Sequence, residues 1–152
     1  KKKLQSFCLN EEKRFSKGIT IAFLEKPFHL KVNGITIKGK IDRIDQLNDN
    51  SYAILDYKTS STLKVDTPKT YENSSDFQLE FYFLATKEMG VTQVGYYDLN
   101  DGKIKEESML QEKLTKLMEI FDSFDTHKVD FAECDKDQIC NYCPYKTICN
   151  KN

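Results

Sequence analysis

No stretch of this chain approaches the roughly 18–20 consecutive apolar residues that cross a bilayer, and no signal-peptide pattern opens it. The expectation is a cytoplasmic protein with no membrane partner. A large net charge is missing too: the balance is −1, so the overall field gives no argument for a nucleic-acid partner. The base is nonetheless concentrated in residues 1–75 and the acid in 76–152, which would place any nucleic-acid surface on the N-terminal half. A secretion signal is absent while five cysteines are present; that combination argues against a disulfide framework and for ligation of a metal or cluster. There is no initiating methionine, and a fragment of a longer protein is expected. What is there, 152 residues at 39% hydrophobic and 12% aromatic, suffices for one globular domain with a real core.

The most informative stretch is 39–58, GKIDRIDQLNDNSYAILDYK. Two β-rich runs flank the turn formers LNDNS, which reads as a β-hairpin. If residues 47–51 are the loop, Gln46 pairs with Tyr52, and the same register sets Asp42 opposite Asp56. Opposed residues hold their Cβ atoms about 4.5–5.5 Å apart. Two carboxylates that close on apolar strands repel and lose hydration unless a cation joins them. Lys58 shares the face of Asp56 because strand side chains alternate. The result is D-x13-D-x-K, two acidic oxygen ligands with an ammonium beside them.

Before this hairpin, KKKLQSFCLNEEKRF reads as an amphipathic helix ended near Gly18, with Leu4, Phe7 and Cys8 on its apolar side and Cys8 as a small buried residue. Strands ITIAFLE and FHLKV follow, with Pro27 at an edge or bend. Asn33-Gly34 is a strong hairpin turn. Glu25 can approach the acidic site or be a solvated edge residue, and His29 is an ordinary strand residue. Residues 59–73 form a loop in which Lys64 and Lys69 either contact phosphate or are solvated. Ser74 or Ser75 caps a helix over Asp76–Glu88, ended by Gly90, on which Gln78 and Tyr82 share a face at i and i+4. Two more strands turn at Asn100-Asp101-Gly102. A last amphipathic helix has apolar residues at 110, 114, 117, 118, 121 and 124, read as core positions.

The tail, residues 134–149, places Cys140, Cys143 and Cys149 in a C-x2-C-x5-C spacing, suited to zinc or an iron–sulfur cluster. A second C-x2-C is lacking, which leans toward a cluster. Cys134 or Cys8 is a candidate fourth ligand.

GKIDRID, ILDYKTS and QLEFY, in that order, resemble the motifs of the PD-(D/E)XK nuclease superfamily in its RecB-like branch. The likeness is nearest the nuclease domain of AddB-type helicase–nuclease subunits and the CRISPR-associated RecB-like exonucleases. It covers about residues 19–90 and 134–149. The resemblance implies a restriction-endonuclease-like α/β (α+β) fold: a mixed central sheet flanked by helices, with a cysteine-rich tail, in one domain over 1–152. It implies Mg2+- or Mn2+-dependent hydrolysis of DNA, with Asp42, Asp56 and the Tyr57 carbonyl holding the metal, Lys58 offsetting transition-state charge, and Gln78 and Tyr82 flanking the site. It further implies a [4Fe–4S] cluster on Cys140, Cys143 and Cys149 in the full-length protein, and a helicase subunit or domain as partner in break repair. The family's upstream His or Glu and its first cluster cysteine have no match here. Two other readings stay open: a catalytically lapsed DNA-binding module, and a zinc-stabilised interaction domain using Cys134, Cys140, Cys143 and Cys149.

Overall fold

A computed structural model describes residues 2–60, 63–125 and 140–149. Helix α1 (Lys2–Ser16) leads into strands β1 (Thr20–Val32), β2 (Ile35–Gln46) and β3 (Tyr52–Lys58). These are followed by helix α2 (Gln78–Ala85), strands β4 (Val91–Asp98) and β5 (Lys103–Glu106), and helix α3 (Leu110–Asp125), with short 3-10 turns at Tyr71–Asn73 and Lys87–Met89. The five strands form one sheet in the order β1-β2-β3-β4-β5. Every neighbouring pair is antiparallel except β3 and β4, which run parallel. A parallel pair needs a crossover, and α2 supplies it. The expected mixed sheet with flanking helices is therefore present. Residues 1–122 make one compact unit and 123–152 a second. No helix among the described residues is long and apolar enough to span a membrane.

Asn33 and Gly34 both take positive φ, 47° and 79°, as a two-residue turn matched to strand twist requires. Of the two expectations for Pro27, an edge or a bend, the edge holds: β1 is a single strand of 13 residues, in place of the two strands expected there. Pro27 is tolerated there because β1 is an edge strand, where a missing N–H need not break a ladder. The irregularities lie earlier, in a register shift between Ile21 and Phe23 and in Glu25 at φ 52°. Ile41 and Ile44 of β2, an odd number of residues apart, both enter the core cluster.

That cluster, Phe28, Ile41, Ile44, Ile54, Leu79, Tyr82, Val94 and Tyr96, fills the space between the sheet and α2. On the opposite face α1 packs through Phe7, whose ring meets Tyr57 and Tyr97 at centroid distances of 6.3 and 5.0 Å. The α1 seam is Phe7 with Glu11, i to i+4, and this rotation turns Cys8 outward. Cys8 is exposed rather than buried, and Leu4 is 71% exposed.

Helix α2 is shorter than its pattern. Thr86 bonds back to the Tyr82 carbonyl at 2.8 Å, an alternative that weakens helix continuation, and only a 3-10 turn follows before Gly90 at φ 74°. Neither Ser74 nor Ser75 caps it; Asp76 Oδ1 accepts the Gln78 N–H instead, at 3.1 Å. In α3 Leu117 and Phe121 are buried as expected, but Phe124 is 55% exposed. The buried residue that the pattern does not reveal is Lys113, 1% exposed, whose ammonium lies 2.9, 3.1 and 3.4 Å from Glu107, Glu80 and Asp66.

At Gly95 the close approach of β5 leaves no room for a side chain. A Cβ there would sit 2.8 Å from the Lys105 carbonyl and 3.2 Å from Glu106 Cα. Backbone atoms cannot swing away as a side chain can. Gly95→Ala is expected to cost about 1–3 kcal/mol, read as a lowered midpoint in urea. Because Lys105 Nζ also bonds the Leu63 carbonyl and Asp98, protection of the segment after β3 in hydrogen exchange should fall with it.

Candidate active site

The β2–β3 ladder runs from Gln46↔Tyr52 to Arg43↔Leu55. One more step in this register brings Asp42 to Asp56. The 47–51 loop that sets it is closed by Leu47 N–H to the Ser51 carbonyl at 2.8 Å and Asn50 N–H to Leu47 at 3.0 Å. Beyond Arg43 the Asp42 side chain takes over the pairing: its Oδ2 accepts the Tyr57 N–H at 3.0 Å. Lys58 O accepts from Leu99 on the β4 side. Backbone groups of adjacent strand residues point to opposite neighbours, so Tyr57 turns its carbonyl toward Asp42.

From across the core, α2 delivers Gln78 and Tyr82, one turn apart on one face. Gln78 Nε2 donates to Asp56 Oδ1 at 2.8 Å and to the Tyr82 hydroxyl at 2.7 Å, while its Oε1 accepts from Lys58 Nζ at 2.6 Å. The Tyr82 hydroxyl donates to Asp56 Oδ1 at 3.3 Å. The Lys58 ammonium lies 2.6 Å from Asp56 Oδ2. Asp42, Asp56, the Tyr57 backbone, Lys58, Gln78 and Tyr82 are thus brought together, and four of the side chains form one continuous network.

Asp56 is 2% exposed. Burial pushes its carboxyl above the ordinary range; the Lys58 ammonium pulls the other way, and the charge of Asp42 adds to the rise. The Tyr82 phenol is pushed up to about 12, first by burial and further by the two aspartates, against the Gln78 hydrogen bond. It therefore remains a donor at any neutral pH.

These residues fit a divalent cation on two observations. Asp56 Oδ2 is buried and receives no hydrogen bond of good geometry even with Lys58 beside it. The donors gathered here, two carboxylates and a peptide carbonyl, are hard oxygens of the kind Mg2+ and Mn2+ take. Among the described residues, no group of three or more His, Cys, Asp or Glu side chains converges as a metal site, so the set stops at two carboxylates plus the carbonyl.

Other expected residues lie elsewhere. Lys64 and Lys69 are exposed on the loop after β3. Glu25 is ion-paired with Lys40 at the exposed edge, and His29 is exposed. Glu11, one of two acids of α1, faces the other side of the sheet, with Arg43 and Tyr97. In the tail Cys140 is buried and Cys143 and Cys149 are partly so; successive turns run through them, Cys143 N–H to Cys140 O at 3.0 Å and Lys146 N–H to Cys143 O at 3.2 Å. The three are not gathered into one ligand set. Cys134 lies outside the described residues.

Two neighbours of the site have no sequence signature. Tyr96 stands beside Asp56 in the parallel β3–β4 register, and Asp76 bridges Tyr96 to the start of α2. Parallel register depends on the crossover and cannot be counted from a turn.

Comparison with known proteins gives the family of the chain. A component of an ATP-dependent helicase/deoxyribonuclease from Streptococcus pyogenes serotype M12 is 32% identical over 133 residues, covering 83% of this chain. Its counterpart from serotype M28, which carries the same name, matches equally. The match takes in 12% of each relative, so this chain spans about an eighth of their length. The solved structure of SSO0001 aligns with 96% of this chain and 67% of its own at 17% identity and a TM-score of 0.48, too distant to bear on the site. The profile of the PD-(D/E)XK nuclease superfamily matches residues 1–150. A match of that extent takes in α1, the whole sheet and the aspartate–lysine hairpin together with the α2 glutamine and tyrosine that meet it, and the chain belongs to the PD-(D/E)XK nuclease superfamily.

Proposed function

We propose that this chain, residues 1–152, is the nuclease domain of a helicase–nuclease and hydrolyses phosphodiester bonds of DNA with Mg2+ or Mn2+. The observation that carries the reading is the buried Oδ2 of Asp56 beside Asp42, which meets the Lys58 ammonium but accepts no hydrogen bond of good geometry, while Oδ1 is fixed by Gln78 and Tyr82. Asp42, Asp56 and the Tyr57 carbonyl would hold the cation. Bound there, a divalent cation lowers the pKa of an attacking water and polarises the scissile phosphate. Lys58 is held by Gln78 and Asp56 at the same spot, where its ammonium offsets charge that develops on the phosphoryl oxygens. Gln78 and Tyr82 fix the Asp56 carboxylate through Oδ1 and leave Oδ2 for the cation. Lys64 and Lys69, exposed on the following loop, suit contacts to the DNA backbone.

The names of the relatives support DNA as substrate and a helicase as partner. The cysteine spacing supports an iron–sulfur cluster in the tail, with zinc as the alternative, and no step of the hydrolysis runs through it. Anaerobic purification of the intact protein separates the two: a brown protein carries a cluster, whereas a colourless one with stoichiometric zinc does not.

The decisive experiment incubates the intact protein with linear DNA and Mg2+, with and without EDTA. Cleavage that EDTA abolishes and added Mn2+ restores is expected. Persistence of cleavage in EDTA overturns the metal assignment, and DNA binding with no cleavage in either metal favours a lapsed binding module.

A further inference from the structure

Resting on the nuclease reading, one side chain outside the assigned set has a geometry that the metal site alone does not account for. Tyr96 is 3% exposed and stands next to Asp56 in the parallel register, on the face that looks toward α2. The Lys58 ammonium lies 5.0 Å from the centroid of its ring, within range of a cation–π interaction. Its hydroxyl donates to Asp76 Oδ2 at 2.8 Å, and the other oxygen of Asp76 accepts the Gln78 N–H at 3.1 Å. Gln78 then returns to Lys58 through Oε1 at 2.6 Å.

The contacts close a ring: Lys58 to the Tyr96 face, Tyr96 to Asp76, Asp76 to the first turn of α2, and Gln78 back to Lys58. Lys58 has a long, flexible stem, and its ammonium is met by one carboxylate oxygen and one amide oxygen. An aromatic face supplies a non-competing contact that takes no donor proton from either. The hydroxyl fixes where α2 begins, and therefore where Gln78 meets Lys58. Burial and the Asp76 carboxylate push the Tyr96 phenol far above its ordinary value, so it stays protonated and keeps donating.

We propose that Tyr96 is a positioning residue of the nuclease site, its ring a platform for the Lys58 ammonium and its hydroxyl the lock, through Asp76, on the α2 turn that carries Gln78. Tyr96 touches neither substrate nor metal in this role; it acts through Lys58 and Gln78.

Two variants separate the parts. Tyr96→Leu removes ring and hydroxyl, and is expected to lower kcat on linear DNA at saturating Mg2+ by about tenfold with KM unchanged. Tyr96→Phe keeps the platform and is expected to lose about threefold, the scale of one hydrogen bond. A second readout needs no activity: acetylation of lysines in the intact protein, followed by mass spectrometry. In the wild type Lys58 should label several-fold more slowly than the exposed Lys64 and Lys69. Tyr96→Leu should speed Lys58 labelling while Lys113, 1% exposed, stays protected and certifies the fold; Tyr96→Phe should leave Lys58 protected.

A Tyr96→Leu protein with kcat within twofold of wild type and unaltered Lys58 labelling overturns the proposal. So does wild-type Lys58 labelling as fast as Lys64. If Tyr96→Leu exposes Lys113, the wild-type and Tyr96→Phe footprints decide alone. Should the wild type cut no DNA, the nuclease reading fails, while the Lys58 footprint still supports or overturns the contact with Tyr96.

Discussion

Asp56→Asn is expected to reduce Mg2+-dependent cleavage of linear DNA by about a thousandfold or more, and to leave the affinity for DNA nearly unchanged. The substitution is isosteric, so shape cannot account for the loss. An asparagine carbonyl can still accept from Gln78 and Tyr82 where Oδ1 does now. Its amide, however, must stand where Oδ2 stands, and there it presents two donors to the Lys58 ammonium at 2.6 Å and no lone pair to a cation. A thousandfold corresponds to about 4 kcal/mol of transition-state stabilisation, of the order expected when a metal and its Lewis-acid chemistry are lost together.

The same variant carries a stability signature that a damaged fold would not show. Asp56 has its carboxyl pushed above the ordinary value of 3.8, chiefly by burial. A carboxyl raised on folding contributes stability that is present below its unfolded pKa and lost as the pH climbs through the folded one. The folded, metal-free protein therefore holds this carboxyl less readily as an anion than the unfolded chain does. The midpoint of Asp56→Asn relative to the metal-free wild type should rise as the pH is raised from about 4 to 7, offset by a loss of the Lys58 ion pair at 2.6 Å. A loss of activity without that rise would instead point to a structural aspartate.

The hairpin was legible because its determinants are local. The five-residue turn at 47–51, four of its residues turn formers, fixes the register, period-two alternation then assigns faces, and Asp42, Asp56 and Lys58 follow. Gln78 and Tyr82 were legible for the corresponding reason on a helix, where i and i+4 share a face. What escaped depends on partners distant in sequence. Alternation is the same whether β4 runs parallel or antiparallel to β3, so the crossover and the place of Tyr96 beside Asp56 have no local mark. Lys113 sits among charged residues on an amphipathic helix and reads as solvated, yet three carboxylates, one from α2 and two from connecting segments, gather around it. Cys8 was misplaced because α1 meets the sheet through Glu11, a polar residue that a hydrophobic stripe leaves out.

Arg43→Met is expected to cost about 3–5 kcal/mol of folding free energy, a large part of the roughly 5–15 kcal/mol that a domain has. Arg43 is 1% exposed. Its guanidinium donates to both oxygens of Asp45, at 2.6 and 3.0 Å, to Glu11 at 2.5 Å and to the Tyr57 hydroxyl at 3.2 Å. Methionine fills the space but leaves Asp45, 0% exposed, and Glu11, 8% exposed, with less countercharge; Arg14 still pairs with Asp45. The penalty is the stranded charge rather than the lost bonds, so adding Glu11→Gln and Asp45→Asn to Arg43→Met should recover much of the stability, a non-additivity that a mutant cycle in urea will register. Asp42 and Arg43 are adjacent in sequence, and alternation sends them to opposite faces, one into the metal site and the other into the anchor of α1. Arg43→Met should therefore lower the midpoint of unfolding while the protein that remains folded cuts DNA at close to the wild-type rate. Asp56→Asn does the reverse, and the pair of results would assign catalysis to one face of the sheet and the attachment of α1 to the other.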